Sequence, residues 1–237
     1  MPVISTQGYS YQYATTDYGI LLNGTNQYGY HNNDLPNIEA MSIWIKPTNN
    51  ITTATSSQTV IQTQTFATGA DEGVYLGNST GLLTNETIAV HKTIDPTGHR
   101  TGVQNFTLTA SQWYNIIINW SGSLYNIIVD DSSQSLVSGG TGHAPLFTTT
   151  SILTVGAQRG PTTRFYLSAT IANLILFDTA LSSGEITSIV NDGPYGSTSV
   201  SGNEIGAYRF NEGFGVTAHD ESGNGNHLTL VNTPTWV

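Results

Sequence analysis

An all-β fold, either a sandwich or a barrel of antiparallel sheets, is predicted by three features of this 237-residue sequence. Apolar and polar residues alternate in short runs, the period of a half-buried strand. Clusters rich in Gly, Asn, Ser and Pro separate those runs at fairly regular spacing. One segment alone trades the alternation for a helical period. Many short strands without interleaved helices point away from a parallel α/β sheet. The length suits one large all-β domain as well as two small ones, and it is sufficient to bury a core without covalent staples.

The elements follow in chain order. Residues 1–17 read as an N-terminal arm or edge strand, in which "YSYQY" sets Tyr9, Tyr11 and Tyr13 on one side. "GILLN" is the first strand of the main body. "MSIWIKP" places Met41, Ile43 and Ile45 on one face and Ser42, Trp44 and Lys46 on the other. "WYNIIINW" divides into Tyr114, Ile116, Ile118 and Trp120 against Trp113, Asn115, Ile117 and Asn119. "LYNIIVD" aligns Tyr125, Ile127 and Val129, and the "SGS" before it reads as a tight hairpin loop. "TVIQTQ", "GVYLG", "TIAVHK", "SILTVG", "LSATIANLILF", "IGAYRF" and "HLTLV" supply further strands. The exception is "LSSGEITSIVND". Ser182 and Glu185 have capping-box spacing, and Ile186, Ile189 and Val190 share a helical face, so the spacing predicts a helix over 182–192. It is expected to plug one end of the sandwich. The loosest stretch, Gly193 to Glu204, separates the bulk of the domain from the final block.

Composition excludes several classes. The formal net charge is −10, and the six basic residues (Lys46, Lys92, Arg100, Arg159, Arg164, Arg209) are scattered in sequence. Without a basic cluster, phosphate-driven nucleic-acid binding is not expected. An anionic membrane surface would repel the chain, and no apolar run is long enough for bilayer insertion. The absence of cysteine removes a disulfide framework, thiolate zinc sites and a cysteine nucleophile. The N-terminus carries neither a basic n-region nor an apolar h-region, so no Sec signal peptide is expected. Charged residues make up only 9% of the chain, against about 25% in an average globular protein. Such a surface of Gly, Thr, Ser and Asn suits a rigid virion or extracellular protein.

With the strands in place, the sequence resembles the laminin-G-like, concanavalin A-like lectin/glucanase jelly rolls. "GILLNGTNQYGY" is similar to their first strand, "EAMSIWIKP" to "F-S-I-S-x-W-V-K-P", and "LTASQWYNIIINWSGSLYNIIVDD" to the tryptophan-to-aspartate hairpin, with Trp113 and Asp130 in the matching positions. "LTVGAQRG" followed by "FYLSATIANLILFDTALSSGEITSI" resembles the family's last long strand and helix. The block "YRFNEGFGVTAHDESGNGNHLTL" is similar to one that usually begins such a domain; here it stands at the C-terminus. The resemblance implies a jelly-roll sandwich of two antiparallel sheets, a single domain over 18–237, with 205–237 as its closing strands. The altered order reads as a circular permutation or as the first strands of a further repeat. Trp44, Trp113 and Trp120 match framework positions and are expected in the core, with Trp236 sealing the last strand.

Candidate sites are few. Asp220, Asn224 and Asn226 offer the hard oxygen ligands that calcium prefers, and the family often holds a structural calcium. The aspartate that usually partners this loop is replaced by Ala172. The same residues also read as a Gly/Asn turn in which Asp220 bonds the loop backbone. His219 and His227 flank the loop without further ligands at zinc spacing; His31, His91, His99 and His143 are expected at the surface. Tyr9 and Tyr11 are candidate ligand-binding residues, as a sugar-stacking platform or docking arm. Glucanases of this fold carry "E-x-D-x-x-E" on one strand to flank the sugar bond; that run is absent, and Asp130 and Asp131, being adjacent, would face opposite ways in a strand. The expectation is a protein that is not an enzyme: a virion surface protein of the capsid-decoration, head-fibre or tail-fibre type, serving adhesion to glycans or shell reinforcement, with glycans and capsid proteins as partners. A bacterial carbohydrate-binding lectin or enzyme accessory module, located extracellularly, is the alternative, and a glycoside hydrolase comes after both.

Overall fold

The structure, a computed structural model, describes residues 19–65, 70–77, 86–92, 99–104, 106–120, 122, 125–134, 136–138, 147, 152–159, 163–197 and 200–237. Tyr9, Tyr11, Tyr13 and His143 lie outside the described residues. The strands in chain order are β1 (Ile20–Asn23), β2 (Tyr28–His31), β3 (Ala40–Pro47), β4 (Gln58–Thr65), β5 (Ala70–Leu76), β6 (Glu86–Lys92), β7 (His99–Gln104), β8 (Tyr114–Trp120) and β9 (Tyr125–Val129). They continue with β10 (Ser132–Ser133), β11 (Leu136–Ser138), β12 (Leu153–Val155), β13 (Ser168–Phe177), β14 (Glu204–Tyr208), β15 (Thr217–Ala218), β16 (Leu228–Val231) and β17 (Thr235–Trp236). The helix α1 spans Ser183–Asp192, between β13 and β14.

Two antiparallel sheets form the jelly-roll sandwich that the family resemblance implies. The first has eight strands in the order β10-β9-β8-β3-β13-β1-β17, with β14 also paired to β13. The second has nine, in the order β11-β7-β6-β5-β4-β12-β2-β16-β15. Residues two apart share a sheet face, and one face of each sheet turns into a common core. Met41, Ile43 and Ile45 from β3 meet Ile116 and Ile118 from β8 there, opposite Val74, Leu76, Ile88 and Val90 of the second sheet. The C-terminal strands belong to both sheets. β14 pairs with β13, β16 lies between β2 and β15, and β17 pairs with β1 through Ile20 and Trp236. Gly19 and Val237 exchange two backbone hydrogen bonds of 3.0 Å, which places the first described residue beside the last.

The helix starts where its capping box predicts. Ser182 is the N-cap, its N–H donates to Glu185 Oε2 at 2.7 Å, and the Glu185 N–H donates back to Ser182 Oγ at 3.4 Å. Gly193 ends it at φ 74°, a left-handed conformation that glycine adopts without a Cβ clash. Its location differs from the expectation. Instead of plugging an end of the sandwich, Ile186 and Ile189 lie with Leu181 on the outer face of the first sheet, against Ala40, Ile117, Ile128, Ile175, Phe177 and Ala207. Asn119 fixes the approach to the helix: its Nδ2 donates to the Leu181 carbonyl at 2.9 Å and its Oδ1 accepts the Leu181 N–H at 2.8 Å. This roof explains why Ile117 and Asn119 are buried along with the inward residues of β8.

Three further expectations are corrected. Trp113 is half-buried on the outer face, edge-on to Tyr195 at 5.9 Å, and does not enter the core, because β8 begins one residue later and sends its inward positions from Tyr114. Asp130 and Asp131 are not strand residues. They form the two-residue turn joining β9 to β10, with φ values of 49° and 63°, the left-handed pair that a tight hairpin requires. His31 is buried, not at the surface, because it alternates with outward Tyr30 and faces into the sandwich, where its Nδ1 lies 3.1 Å from the His227 carbonyl.

Candidate functional site

The loop containing Asp220, Asn224 and Asn226 is built around the free edge of β14. Asp220 Oδ1 accepts the Ala207 and Ser222 backbone N–H groups, both at 2.9 Å, and Oδ2 accepts the Asn226 N–H at 2.8 Å. The Ala207 carbonyl accepts the Glu221 N–H at 2.8 Å. The Nδ2 groups of Asn224 and Asn226 donate to the carbonyls of Glu204 and Ile205 at 2.8 and 2.7 Å. Side chains thus do for β14 what a neighbouring strand would do, and an edge that could recruit another chain is closed. Burial on its own would raise the Asp220 carboxyl, but the hydrogen bonds from Ser222, Ala207 and Asn226 outweigh it and hold its pKa below the ordinary value. Three backbone donors occupy three of the roughly four acceptor directions of this carboxylate, and both asparagines present amide nitrogens, which are donors, to the strand edge. This donor set matches the turn chemistry better than an oxygen cage for calcium.

The histidines beside the loop are also in structural use. The Asp220 N–H donates to His227 Nδ1 at 2.9 Å, and the His219 and His227 rings lie edge-to-face at 5.1 Å. Among the described residues, no group of three or more His, Cys, Asp or Glu could hold a metal ion.

A different region collects the chemistry of recognition. On β2, Gly29 and His31 face inward. A Cβ on Gly29 would meet Leu230 Cδ2 at 3.3 Å, so glycine lets the core leucines approach the strand. Tyr28 and Tyr30 therefore face outward, where the register sets Tyr30 between Thr154 and Thr229. The Tyr28 ring lies 6.3 Å from Tyr30 and 6.3 Å from Tyr166, making a row of three half-buried tyrosines. The Arg159 guanidinium sits 4.8 Å above the Tyr30 ring, and its Nη1 donates to Asn32 Oδ1 at 3.4 Å. Gln62, from β4, positions that arginine by accepting the Arg159 N–H at 2.9 Å. Arg164 Nε donates to Gln158 Oε1 at 2.6 Å, and the two residues also exchange backbone hydrogen bonds of 2.9 Å.

This outer face offers aromatic rings, a planar cation and amide groups together. Aromatic rings receive the C–H face of a ring-shaped polyol, and guanidinium and amide groups bond its hydroxyls. The sequence signal was available in "QYGYHN", where tyrosines two apart flank a glycine. Nothing local showed that Tyr166 and Arg159 would join them.

Comparison with known proteins gives the family. The family model described as the concanavalin A-like lectin/glucanases superfamily matches residues 13–187, well over half of the chain. No curated protein matches the chain significantly. Among solved structures, the chain is similar to a heptameric SAP-like pentraxin from Limulus polyphemus, with 15% identity, TM-score 0.53, and coverage of 77% of this chain and 85% of that one. It is similar to domain 4 of AbnA, an extracellular GH43 arabinanase from Geobacillus stearothermophilus solved with arabinotriose, at 16% identity, TM-score 0.52, and coverage of 72% and 75%. It is also similar to the CBM40 of a Ruminococcus gnavus IT-sialidase bound to α2,3-sialyllactose, at 13% identity, TM-score 0.50, and coverage of 73% and 96%. At these identities the likeness is one of fold.

Proposed function

Because this chain belongs to the concanavalin A-like lectin/glucanases superfamily, we propose that it is a non-catalytic glycan-binding protein of a virion surface, serving adhesion. The observation that carries the glycan reading is the row of Tyr28, Tyr30 and Tyr166 with Arg159 over Tyr30, on an outer sheet face. Two structural relatives with sugar ligands, arabinotriose and sialyllactose, agree with it. The absence of the glucanase carboxylate run supports a role without hydrolysis. The virion assignment rests on a cysteine-free chain of net charge −10 with few charged side chains.

A glycan array probed with the protein and with Tyr30→Ala tests the binding. Retained glycans that the variant loses, with no release of reducing sugar on incubation, are the expected result. An array without signal, or signal indifferent to Tyr30, sinks the reading. Mass spectrometry of purified particles tests the location. The second reading, an accessory module of a secreted carbohydrate-active enzyme, is favoured by the two relatives that are parts of an arabinanase and a sialidase. It predicts recovery of the protein from particle-free culture fluid.

A further inference from the structure

The tyrosine row ends at a cation that no carboxylate balances. The chain has six basic residues against 16 acidic ones, so carboxylates are in ample supply to pair them. Arg209 is paired, 3.7 Å from Glu221. Lys46 lies over the Trp113 ring, on the first sheet. Arg159 and Arg164 are brought to neighbouring positions by the antiparallel bridge between Gln158 and Arg164. Among the described residues, neither of these two arginines forms an ion pair.

Arg159 is held in place without its donors being used up. Its backbone N–H donates to Gln62 Oε1 at 2.9 Å, and its guanidinium lies 4.8 Å over the Tyr30 ring. That contact draws on the positive charge and leaves the N–H groups available. A guanidinium carries five N–H donors. The bond from Nη1 to Asn32 Oδ1 takes one of them and is long, at 3.4 Å. The side chain is half-buried, so water reaches the remaining donors only in part. The residues that flank Tyr30 in the register, Thr154 and Thr229, are neutral.

A sugar ring stacked on these tyrosines would extend over Arg159 and strip water from its N–H groups. With a neutral sugar, the cation is desolvated against hydroxyls alone, which is costly. A carboxylate on the ring supplies the missing charge, and its two oxygens match the planar fork of a guanidinium. The net charge of −10 repels an anion at long range, but physiological salt screens exposed charges beyond about 8 Å. Contact with the guanidinium therefore outweighs the distant carboxylates. We propose that the ligand of this face is an acidic sugar, its carboxylate bound to the N–H edge of Arg159 and its C–H face laid on the tyrosine row. This inference rests on the reading of the face as a glycan site and narrows the class of glycan. Arg164, exposed beside the same bridge, adds positive charge to the approach.

The test is calorimetric titration of the intact protein with matched ligands. Trigalacturonate and sialyllactose are each compared with their methyl esters, which keep the sugar and lose the charge; lactose is the neutral probe and sulfated galactose the alternative anion. At least one acid should bind about tenfold or more tightly than its ester. Arg159→Gln should bring that acid down to the affinity of the ester. Lys46→Gln removes the same unit of charge from the opposite face of the sandwich and should leave the preference in place. Tyr30→Ala should lose acid and ester alike. Equal binding of acid and ester, both lost in Tyr30→Ala, overturns the acidic ligand and leaves the glycan reading standing. A preference that survives Arg159→Gln, or tighter binding of sulfated galactose than of either acid, overturns it too. Failure of every probe to bind also overturns it, and a silent glycan array as well would take the glycan reading with it.

Discussion

The two sheets share one core but use their outer faces in opposite ways. On the first sheet, much of the outward set is apolar: Ala40, Ile117, Ile175, Phe177 and Ala207 lie under α1. On the second, the outward set near β2 includes Tyr28, Tyr30 and Thr229, with Arg159 above them and no helix among the described residues to cover them. Strand alternation alone gives both sheets an outward set of residues. What decides the use of each set is whether another element comes to cover it. A covered face contributes stability, and an uncovered one is free to contribute recognition.

The largest expected effect breaks the covered face. Phe177 is fully buried between the first sheet and the helix layer. Phe177→Ala should cost about 3–5 kcal/mol, the range for removing a buried aromatic side chain. Urea denaturation measures it, and a loss below about 1 kcal/mol would show that the helix roof adds little to the fold.

The next effect concerns the loop that closes the β14 edge. Asp220→Ala strands the N–H groups of Ala207, Ser222 and Asn226, at about 1–3 kcal/mol for each that stays buried. Water reaches the exposed part of the loop, so about 2–3 kcal/mol in total is expected. On the turn reading, EDTA leaves the melting temperature unchanged. A chelator-sensitive melting temperature that becomes insensitive in Asp220→Ala would restore calcium to this loop. The pH dependence follows from the same bonds. Asp220 and Glu204 both have lowered pKa values: burial would raise them, but the hydrogen bonds they accept prevail. Their stabilisation is fully present above the ordinary carboxylate range near pH 4 and is lost as pH falls through the lower folded-state values. Asp130, raised by burial against the Asn115 N–H, acts in the reverse sense. Its contribution is full below its unfolded value and lost as pH rises through the folded one. Acid unfolding should therefore shift less steeply with pH in Asp220→Ala than in the parent protein.

Trp113→Ala comes third. A tryptophan in the core would cost as much as Phe177, but Trp113 is half-buried against Tyr195 and Lys46. About 1–2 kcal/mol is expected, from partial apolar burial and one cation–π contact. A loss equal to that of Phe177→Ala would return it to the core.

These cases separate what the sequence could reveal from what it could not. The strands of the core were legible because alternation is local: Met41, Ile43 and Ile45 declare a face within five residues. The helix was legible for the same reason, through Ser182 and Glu185. Its position was not, since the apolar outward residues Ala40, Ile117 and Ile175 come from three separate strands and meet only through the β3–β8 and β3–β13 registers. Trp113 was assigned to the core from its place in the family pattern, and the start of β8 put it outside. The turn chemistry of "DESGNGN" was readable, but its partner, the β14 edge, required tertiary contact. The tyrosine row was the least legible part. Tyr28 and Tyr166 are far apart in sequence, and Thr154 and Thr229 reach Tyr30 from two other strands.

The smallest effect on stability is expected at Tyr30, and it sharpens the comparison most. Tyr30 is half-buried, lies on the outer face between two threonines, and holds Arg159 by a cation–π contact at 4.8 Å. Tyr30→Ala removes no core packing, so it should cost under about 1 kcal/mol, near the upper end for surface positions plus one exposed cation–π contact. Tyr30→Phe should cost less, because the ring and its contact with Arg159 remain. Glycan retention should follow a different order. Tyr30→Ala should abolish it, since the ring face is gone and Arg159 loses its support, while Tyr30→Phe should keep most of it. Parallel measurement of melting and glycan retention for both variants decides the matter. If Tyr30→Ala lost stability on the scale of Phe177→Ala, the uncovered face would be structural after all, and the contrast between the two faces of the sandwich would fail.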